Sequence, residues 1–409
     1  MRTPDDVADD RTLVLPPGPP GPPGRPGATP EYLPGRRRWP RRVLIGLAIF
    51  LVVCVVAVTG GYFYVRSKLN QIPRIAVSGL QPAGAGDPQN ILVVGSDSRA
   101  NESAAAAQHF GSATDVSGQR SDTIVLLHLD PRTNQAALLS IPRDMLVPIA
   151  GTGSSNRINA AFDTSPSQLV ATITQNFGIT INRYVQEDFS GLQGLTDAVG
   201  GVCMSFPYPV RDSTPTGTGS ETGLAIKAPG PHVLSGVDAL ALVRSRYYQY
   251  YENGRWHAEG TGDIGRIERQ HEFIRALAAK AIHSAHNPFT GARVLDRAVK
   301  TVTVDNTFSS SLMIQMGIKL RSLHPTAVPS FTLPYRAVNG YRGFGDVLLP
   351  VPNQDAQVIA AWQQYGAPGT SPPAAAPTTP PAAGRGAQTP APAPAPGTNT
   401  RPPWDPVAC

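Results

Sequence analysis

The sequence predicts an α/β domain carried on one apolar N-terminal helix. Short apolar runs that end at glycine, aspartate or proline have the length of buried strands, and they lie at 90–95, 122–129 and 136–141. Longer segments with helical spacing of apolar residues lie at 165–177, 189–199, 231–243 and 263–282. A mixture of such strands and amphipathic helices is typical of a sheet covered by helices.

Residues 43–65 are predicted to cross a membrane. They contain no charged residue, and as a helix they would span about 34 Å, enough for a hydrocarbon core of about 30 Å. Five arginines precede this segment at 36–42, whereas only Arg66 and Lys68 follow it closely. We therefore expect a single-pass cell-membrane protein with a cytoplasmic N-terminus and an extracellular domain. A cleavable signal peptide is the competing interpretation, although the apolar run exceeds the usual length of about 7–15 residues.

Composition divides the rest of the chain. Residues 1–42 are rich in proline, glycine and aspartate and are predicted to be a disordered cytoplasmic tail. Residues 66–88 are predicted to be a stalk, 89–366 one large domain, and 367–409 an extended tail rich in proline, alanine and threonine. The net charge of +6 on 409 residues is too mild for a general nucleic-acid signature, and one membrane span argues against a transporter.

The cysteines suggest one disulfide. Cys54 lies in the apolar segment, so Cys203 and Cys409 are the only pair expected outside the cell, where disulfides persist. We predict a Cys203–Cys409 bridge that ties the tail back to the domain. The alternative is a buried free Cys203 and a loose terminal thiol.

Arginines and carboxylates alternate in five short clusters. The clusters are Asp97-Ser98-Arg99, Arg120-Ser121-Asp122, Arg143-Asp144, Arg244-Ser245-Arg246, and the segment from Asp263 to Gln270 with Arg266 and Arg269. Arginine matches phosphate oxygens with a planar fork of donors, and carboxylates hold the hard cations that accompany phosphates. The pattern indicates a metal-assisted pyrophosphate site. No Walker or nucleophile-elbow motif is present, and the eight histidines lack the spacing of zinc ligands.

Three clusters are predicted to meet at one edge of the sheet. The turn at 130–134 makes the second and third strands a hairpin, with Asp122 across from about Arg143. If the first strand runs parallel to the third, Asp97 and Arg99 lie at the same edge. Sites of open α/β sheets form at the carboxyl ends of strands, so this edge suits chemistry.

The other two clusters lie around helices. Arg244 and Arg246 would share a face if their segment is extended. Asp263 is predicted to cap a helix that reaches about residue 282, with Arg266 and Gln270 on one face near its N-terminus, where an anion is favoured. Each cluster also has a structural interpretation, such as a surface Arg143–Asp144 pair or an Arg269 that faces solvent.

The chain resembles the LytR-CpsA-Psr family of cell-wall glycopolymer ligases over about residues 88–285. The matching segments are NILVVGSDSR at 90–99, RSDTIVLLHLD at 120–130, LLSIPRDMLVPI at 138–149, RINAAF at 157–162, DAVGG at 197–201, LSGVDALALVRSR at 234–246 and GDIGRIERQHEFIRAL at 262–277. The segments 212–228 and 247–262 are long for the family, and Asp163-Thr164-Ser165 replaces a common Gly-Gly pair.

The resemblance implies a fold and an activity. The fold would be an αβα sandwich around a mixed sheet, with an apolar pocket for a polyprenyl chain, so that 89–366 is a catalytic domain. Such enzymes transfer a glycopolymer from a polyprenyl-pyrophosphate carrier to a peptidoglycan hydroxyl, which leaves a phosphodiester. An arabinogalactan is a plausible cargo, with teichoic or capsular polymers as alternatives.

The resemblance also implies residue roles. Asp97 and Asp122 would hold Mg²⁺ (or Mn²⁺), and Asp144 would orient an arginine or the metal shell. The phosphate-binding set would be Arg99, Arg120, Arg143, Arg244, Arg246, Arg266 and Gln270, with Asn159 and Asp263 in structural roles.

Phosphoryl transfer is consistent with these roles on chemical grounds. Arginines and a divalent ion neutralise charge that spreads over the phosphoryl oxygens, and Asp97 is a candidate base for the acceptor hydroxyl. Two rivals share the same residues: a polyprenyl-pyrophosphate hydrolase, and a non-catalytic sensor of the lipid carrier.

Overall fold

The structure is a computed structural model that describes residues 18, 39–96, 121–214, 222–260, 263–284, 287–365 and 402–409. Within these ranges, the side chains of 39–48, 96, 121–122, 188–190, 263–264 and 326 are not described. The chain divides into two compact units, residues 1–59 and residues 60–409.

The described helices are α1 (Trp39–Leu69), α2 (Asn159–Thr164), α3 (Pro166–Phe177), α4 (Phe189–Ala198), α5 (Gly236–Arg244), α6 (Asp263–Ser284), α7 (Pro288–Thr301), α8 (Ser310–Lys319) and α9 (Pro352–Gln363). A single 3₁₀ turn is described at Pro325–Ala327.

The described strands are β1 (Arg74–Ile75), β2 (Gln89–Ser96), β3 (Ser121–Asp130), β4 (Gln135–Ile141), β5 (Leu146–Pro148), β6 (Ser155–Arg157), β7 (Arg183–Asp188), β8 (Val202–Phe206), β9 (Val210–Asp212), β10 (Ala225–Ile226), β11 (Gly230–Leu234), β12 (Tyr248–Glu252), β13 (Arg255–Ala258), β14 (Val302–Asp305), β15 (Ser330–Thr332), β16 (Tyr335–Val338), β17 (Val347–Pro350) and β18 (Val407–Ala408).

The predicted N-terminal helix is present as α1 and is longer than the 43–65 segment. Among the described residues, only the stretch Ile49–Leu69 is long and apolar enough to cross a membrane. Its large apolar side chains are exposed, including Phe50 at 65% and Val58 at 72%. Contiguous exposed apolar surface of this kind is costly in water and suits lipid, so α1 is a candidate membrane anchor.

Seven described strands form a mixed sheet in the order β1-β14-β7-β2-β3-β4-β15. β2 pairs parallel with β7 and antiparallel with β3, and β3 pairs antiparallel with β4. Helices cover both faces of this sheet. Successive residues of β2 point to opposite faces, and each face packs against its own set of helices. Leu92 packs with α2, α3 and α9, whereas Ile91 packs with α7 and α8. The predicted mixed α/β architecture is confirmed.

A third core lies beside the main sheet. α5 and α6 pack with α4 and with β8, which belongs to a three-stranded sheet in the order β11-β8-β18. α5 begins at a capping box, in which the Ser235 hydroxyl accepts from the Asp238 backbone N–H and the Asp238 carboxylate accepts from the Ser235 N–H. The predicted helix at 231–243 is therefore wrong in its first residues, which form β11 instead.

Both predicted linkers contribute described residues to the fold. In the predicted stalk, Arg74 and Ile75 form β1 of the main sheet, and Ile72 and Ala85 are buried in its core. At the other end, residues 402–409 return to the domain. β18 pairs with β8, and the Cys203 and Cys409 sulfurs lie 2.06 Å apart in the predicted disulfide.

Candidate active site

The predicted hairpin and the predicted strand directions are confirmed at the edge of the main sheet. The β3–β4 pairing is described as far as Ile124 and Ile141. Asp122 lies two residues before that pair on β3, and Arg143 lies two residues after it, in the turn that follows β4. β2 and β4 both run antiparallel to β3, so their carboxyl ends meet at this edge. Asp97, Arg99 and Arg120 lie outside the described residues. Asp122 belongs to β3, but its side chain is not described.

Arg143 and Asp144 form the turn after β4. The Nε of Arg143 lies 3.4 Å from Oδ2 of Asp144, and the Nε of Arg157 lies 3.7 Å from Oδ1. The Arg143 carbonyl accepts a hydrogen bond from the Asn159 backbone N–H at 3.2 Å, which fixes the turn against the start of α2. Asp144 thus lies between two guanidinium groups and can orient either one.

Gln270 connects three of the segments that carry candidate residues. The Thr123 hydroxyl, near the start of β3, donates to the side-chain carbonyl of Gln270 at 3.0 Å. The side-chain amide of Gln270 donates to the backbone carbonyl of Val243, in α5, at 3.0 Å. Gln270 is 3% exposed. It therefore holds α6 against β3 and against the end of α5 in this structure, and its role as a phosphate ligand stays a prediction.

His271 makes the corresponding connection to β4. Its Nε2 lies 2.6 Å from the Ser140 hydroxyl, and its Nδ1 bonds the Ser330 hydroxyl on β15. Burial, with a smaller contribution from the charge of Arg275, lowers the His271 pKa to about 3. The imidazole is therefore neutral, with one donor and one acceptor nitrogen, and it satisfies both serines.

The Arg244–Arg246 segment is not the predicted strand. Arg244 ends α5, and residues 245–247 are irregular. Asp212 holds this segment, because its Oδ1 accepts from the Ser245 hydroxyl at 2.9 Å and from the Tyr247 N–H at 3.1 Å. Alternation along a strand therefore does not place the two arginines on one face. Arg244 is half-buried and Arg246 is exposed.

Helix α6 begins at Asp263, which is its first helical residue, with an undescribed side chain. Arg266 lies in the first turn and is 3% exposed. The backbone N–H groups of a first turn carry partial positive charge, so Arg266 reinforces a location that already favours anions.

The interpretation of Arg269 as a solvent-facing residue is wrong. Arg269 is fully buried, bonds both oxygens of Glu259 and donates to the Ser245 carbonyl at 3.1 Å. Its Nη1 also lies 3.4 Å from the Asp405 carboxylate, and its Cζ lies 4.2 Å from the Tyr248 ring centre. Burial raises the pKa of Glu259, and the charge of Arg269 opposes that increase.

Sequence reasoning missed the residues that hold the candidate site together. They are Asp212, His271 and Asp405, whose partners lie 33, 131 and 136 residues away, and Glu259, which lies 10 residues from Arg269 but outside its helix. Only the predicted disulfide indicated that residues near 405 return to the domain.

The described side chains include no group of three or more acidic, histidine or cysteine residues that could hold a metal. Of the predicted pair of aspartates, Asp97 lies outside the described residues. The backbone of Asp122 follows Ser121, which pairs with Ser96 at the end of β2. Mg²⁺ is commonly bound by one or two carboxylates together with substrate phosphates, which is the donor set that such a pair offers.

Comparison with known proteins gives consistent matches. The sequence profile of the LytR_cpsA_psr family matches residues 66–359. The probable cell wall biosynthesis protein LcpB of Corynebacterium glutamicum is 35% identical over 341 residues, which cover 81% of this chain and 72% of that protein. TagU of Halalkalibacterium halodurans, a polyisoprenyl-teichoic acid–peptidoglycan teichoic acid transferase, is 27% identical over 278 residues, which cover 65% of this chain and 80% of TagU.

A solved structure gives a fold comparison. The LytR-Csp2A-Psr enzyme from Actinomyces oris superposes with a TM-score of 0.54 and 23% identity, over 72% of this chain and 96% of that one. At this identity the likeness concerns the fold alone.

Proposed function

Because this chain belongs to the LytR_cpsA_psr family, we propose that it is a membrane-anchored phosphotransferase that moves a glycopolymer from a polyprenyl-pyrophosphate carrier to a peptidoglycan hydroxyl. The relatives include a named teichoic acid transferase, which supports a transferase. The reaction would displace the lipid phosphate and leave the glycopolymer joined to peptidoglycan through a phosphodiester.

One observation supports this proposal most strongly. Hydrogen bonds from α6 join the segments that carry Arg143, Arg244 and Arg266 near the carboxyl edge of the sheet. Gln270 bonds to β3 and to the end of α5, and His271 bonds to β4. These arginines would bind the two phosphates and neutralise the charge that develops during displacement. A preorganised cluster of this kind stabilises a transition state without reorganising during the reaction.

Mg²⁺ or Mn²⁺ is proposed as the cofactor, with Asp97 and Asp122 as its protein ligands. When bound, it would supply positive charge to the phosphate oxygens. Asp97 would also accept the proton of the acceptor hydroxyl, and Asp144 would orient Arg143. The apolar pocket for the polyprenyl chain remains a prediction.

The domain is proposed to work outside the cell, with the N-terminus in the cytoplasm. The basic residues at 36–42 favour this orientation. The Cys203–Cys409 disulfide supports it too, because such bonds persist in oxidising compartments and are rare in the cytosol.

The test uses the full chain in nanodiscs with a polyprenyl-pyrophosphate-linked glycan, Mg²⁺ and a peptidoglycan acceptor. We expect mass spectrometry to detect a glycan–phosphate–peptidoglycan product that disappears with EDTA. Arg143→Ala should lower the transfer rate by about 30- to 1,000-fold, the equivalent of about 2–4 kcal/mol of transition-state stabilisation.

Arg132→Ala is the matched control, because Arg132 is an exposed arginine in the turn at the opposite end of the same hairpin. It should transfer at the wild-type rate. Release of lipid phosphate without a joined product would replace the proposal with a hydrolase, and tight carrier binding without turnover would replace it with a sensor.

A further inference from the structure

The hairpin that follows the Arg246 segment carries an exposed aromatic face. β12 and β13 belong to a four-stranded sheet in the order β10-β9-β12-β13, in which Tyr251 pairs with Trp256 and Gln249 pairs with Arg211. Directly paired residues and alternate residues of a strand share a face, so these four side chains lie together. Tyr251 is 39% exposed and Trp256 is 36% exposed. We call this set the Trp256 face.

The side chains of the Trp256 face contact one another. The Tyr251 and Trp256 ring centres lie 5.2 Å apart, and the Arg211 guanidinium carbon lies 4.2 Å from the Trp256 ring centre. Arg211 also donates from Nε to the Gln249 amide oxygen at 3.0 Å. The face therefore combines flat apolar rings with oriented amide and guanidinium groups.

The opposite face of the hairpin is filled, which makes the hairpin rigid. The Tyr250 ring lies between His257, at 5.2 Å, and Trp404, at 4.9 Å with an interplanar angle of 4°. Tyr248 is buried beneath Arg269. The aromatic rings of the Trp256 face are thus held by a fixed support and lose little freedom when a ligand binds.

The Trp256 face is connected to the candidate active site. Asp212, the neighbour of Arg211 on β9, holds both Ser245 and Tyr247, the two residues that flank Arg246. From Arg246 to Tyr251 the chain advances five residues, which is at most about 17 Å of extended backbone. A chain of several sugars attached to a pyrophosphate at Arg246 can therefore reach these rings.

We propose that the Trp256 face binds the glycan of the pyrophosphate-linked donor, an inference that rests on the proposed function. The C–H faces of sugar rings stack on Tyr251 and Trp256, and sugar hydroxyls bond to Arg211 and Gln249. The donor glycan is the occupant because it is covalently attached to the group that the neighbouring arginines bind. The polar groups of Arg211 and Gln249 beside the rings suit a sugar better than the acyl region of a membrane, which offers them no hydrogen-bond partners.

The test compares Tyr251→Ala, Trp256→Ala and the double variant in the full chain in nanodiscs. Phe289→Ala is the matched control, because Phe289 is an aromatic residue that is 81% exposed on α7. Each single variant should raise KM tenfold or more for a donor with a long glycan and leave kcat unchanged. Neither should alter the kinetics of the same carrier with a single sugar. Phe289→Ala should change neither value.

A binding measurement separates this proposal from the proposed function. Fluorescently labelled arabinogalactan and teichoic-acid fragments, without lipid or pyrophosphate, should bind the wild type and Phe289→Ala in an anisotropy titration. At least one fragment should bind the double variant tenfold more weakly or worse. Such a loss would support the sugar subsite even if the wild type transferred nothing, in which case only the proposed function would fail.

Three outcomes would overturn the sugar subsite while leaving the transferase intact. In the first, the double variant has wild-type kinetics on the donor with the long glycan. In the second, the double variant changes KM for the peptidoglycan acceptor only. In the third, the double variant loses binding to anionic lipid vesicles but binds the glycan fragments as the wild type does. The second result would assign the face to the acceptor, and the third would assign it to the membrane.

Discussion

Replacing Arg269 by methionine should destabilise the domain strongly, because it would remove the guanidinium charge that two buried carboxylates contact. Glu259 is 7% exposed and Asp405 is 2% exposed, and both contact the fully buried guanidinium. Removing one partner of a buried charge network typically costs about 3–5 kcal/mol. For a domain of this size, that corresponds to a fall in Tm on the order of 10 °C.

The pH dependence of this loss follows from the same charges. In Arg269→Met, burial would raise the pKa of both carboxyl groups above their unfolded-state values. A carboxyl group with a raised folded-state pKa costs stability above that pKa, and the cost disappears as the pH falls towards its unfolded pKa near 4. The difference between variant and wild type should therefore be largest at pH 7.5 and smaller at pH 5.

Thermal and denaturant unfolding of the full chain in detergent, followed by tryptophan fluorescence, would measure both effects. Arg275→Met is the matched control on the same helix, since the Arg275 side chain is 19% exposed and pairs with Glu272 at 2.8 Å. It should cost less than the Arg269 variant at both pH values. A loss below about 1 kcal/mol in Arg269→Met, or a loss equal at both pH values, would refute the role given to this network.

Three further predictions concern stability. Replacing Cys203 and Cys409 by serine should cost about 5 kcal/mol in denaturant unfolding on the loop-entropy model for a separation of 206 residues, and adding reductant to that variant should change nothing further. His271 has a folded-state pKa of about 3, below the unfolded-state value of about 6.5. The unfolded chain therefore binds a proton first, so the stability that the neutral imidazole contributes is complete above pH 6.5 and is lost as the pH falls. Between pH 6.5 and 5, the wild type should therefore lose about 1.6 kcal/mol more folding stability in total than His271→Gln, and parallel curves would contradict this. Gly236→Ala should cost about 1–3 kcal/mol because the added Cβ would lie 2.4 Å from a backbone carbonyl oxygen of α4, whereas Gly317→Ala, with nothing within 4 Å, should show no such clash.

The sequence predicted those parts of the fold that depend on local patterns. The hairpin register followed from the turn at 130–134, and the edge where strands β2 and β4 end followed from that register. Helix α3 begins after Ser165, whose hydroxyl accepts from the Gln168 N–H, and the helix was predicted at 165–177 from the spacing of its apolar residues. Local spacing is enough for such elements because the physical cause lies within a few residues.

The remaining structure depends on contacts between residues that are distant in the chain. The neighbouring sequence does not distinguish Arg269 from Arg275 on the same helix. Arg269 is buried and paired with Asp405 and Glu259, whereas Arg275 is partly exposed. Arg244 and Arg246 would share a face only if their segment were extended, but hydrogen bonds to Asp212 hold that segment in an irregular conformation. The candidate residues could be identified from their clusters, whereas the groups that position them could not.

The return of residues 402–409 to the domain has a consequence for proteolysis. The proline-, alanine- and threonine-rich segment before them is the type of sequence that surface proteases cut. A cut there would not release the final residues, because Cys409 is bonded to Cys203 and β18 is paired with β8. Asp405 would remain beside Arg269, and the nicked protein would persist as two covalently joined chains that separate only after reduction.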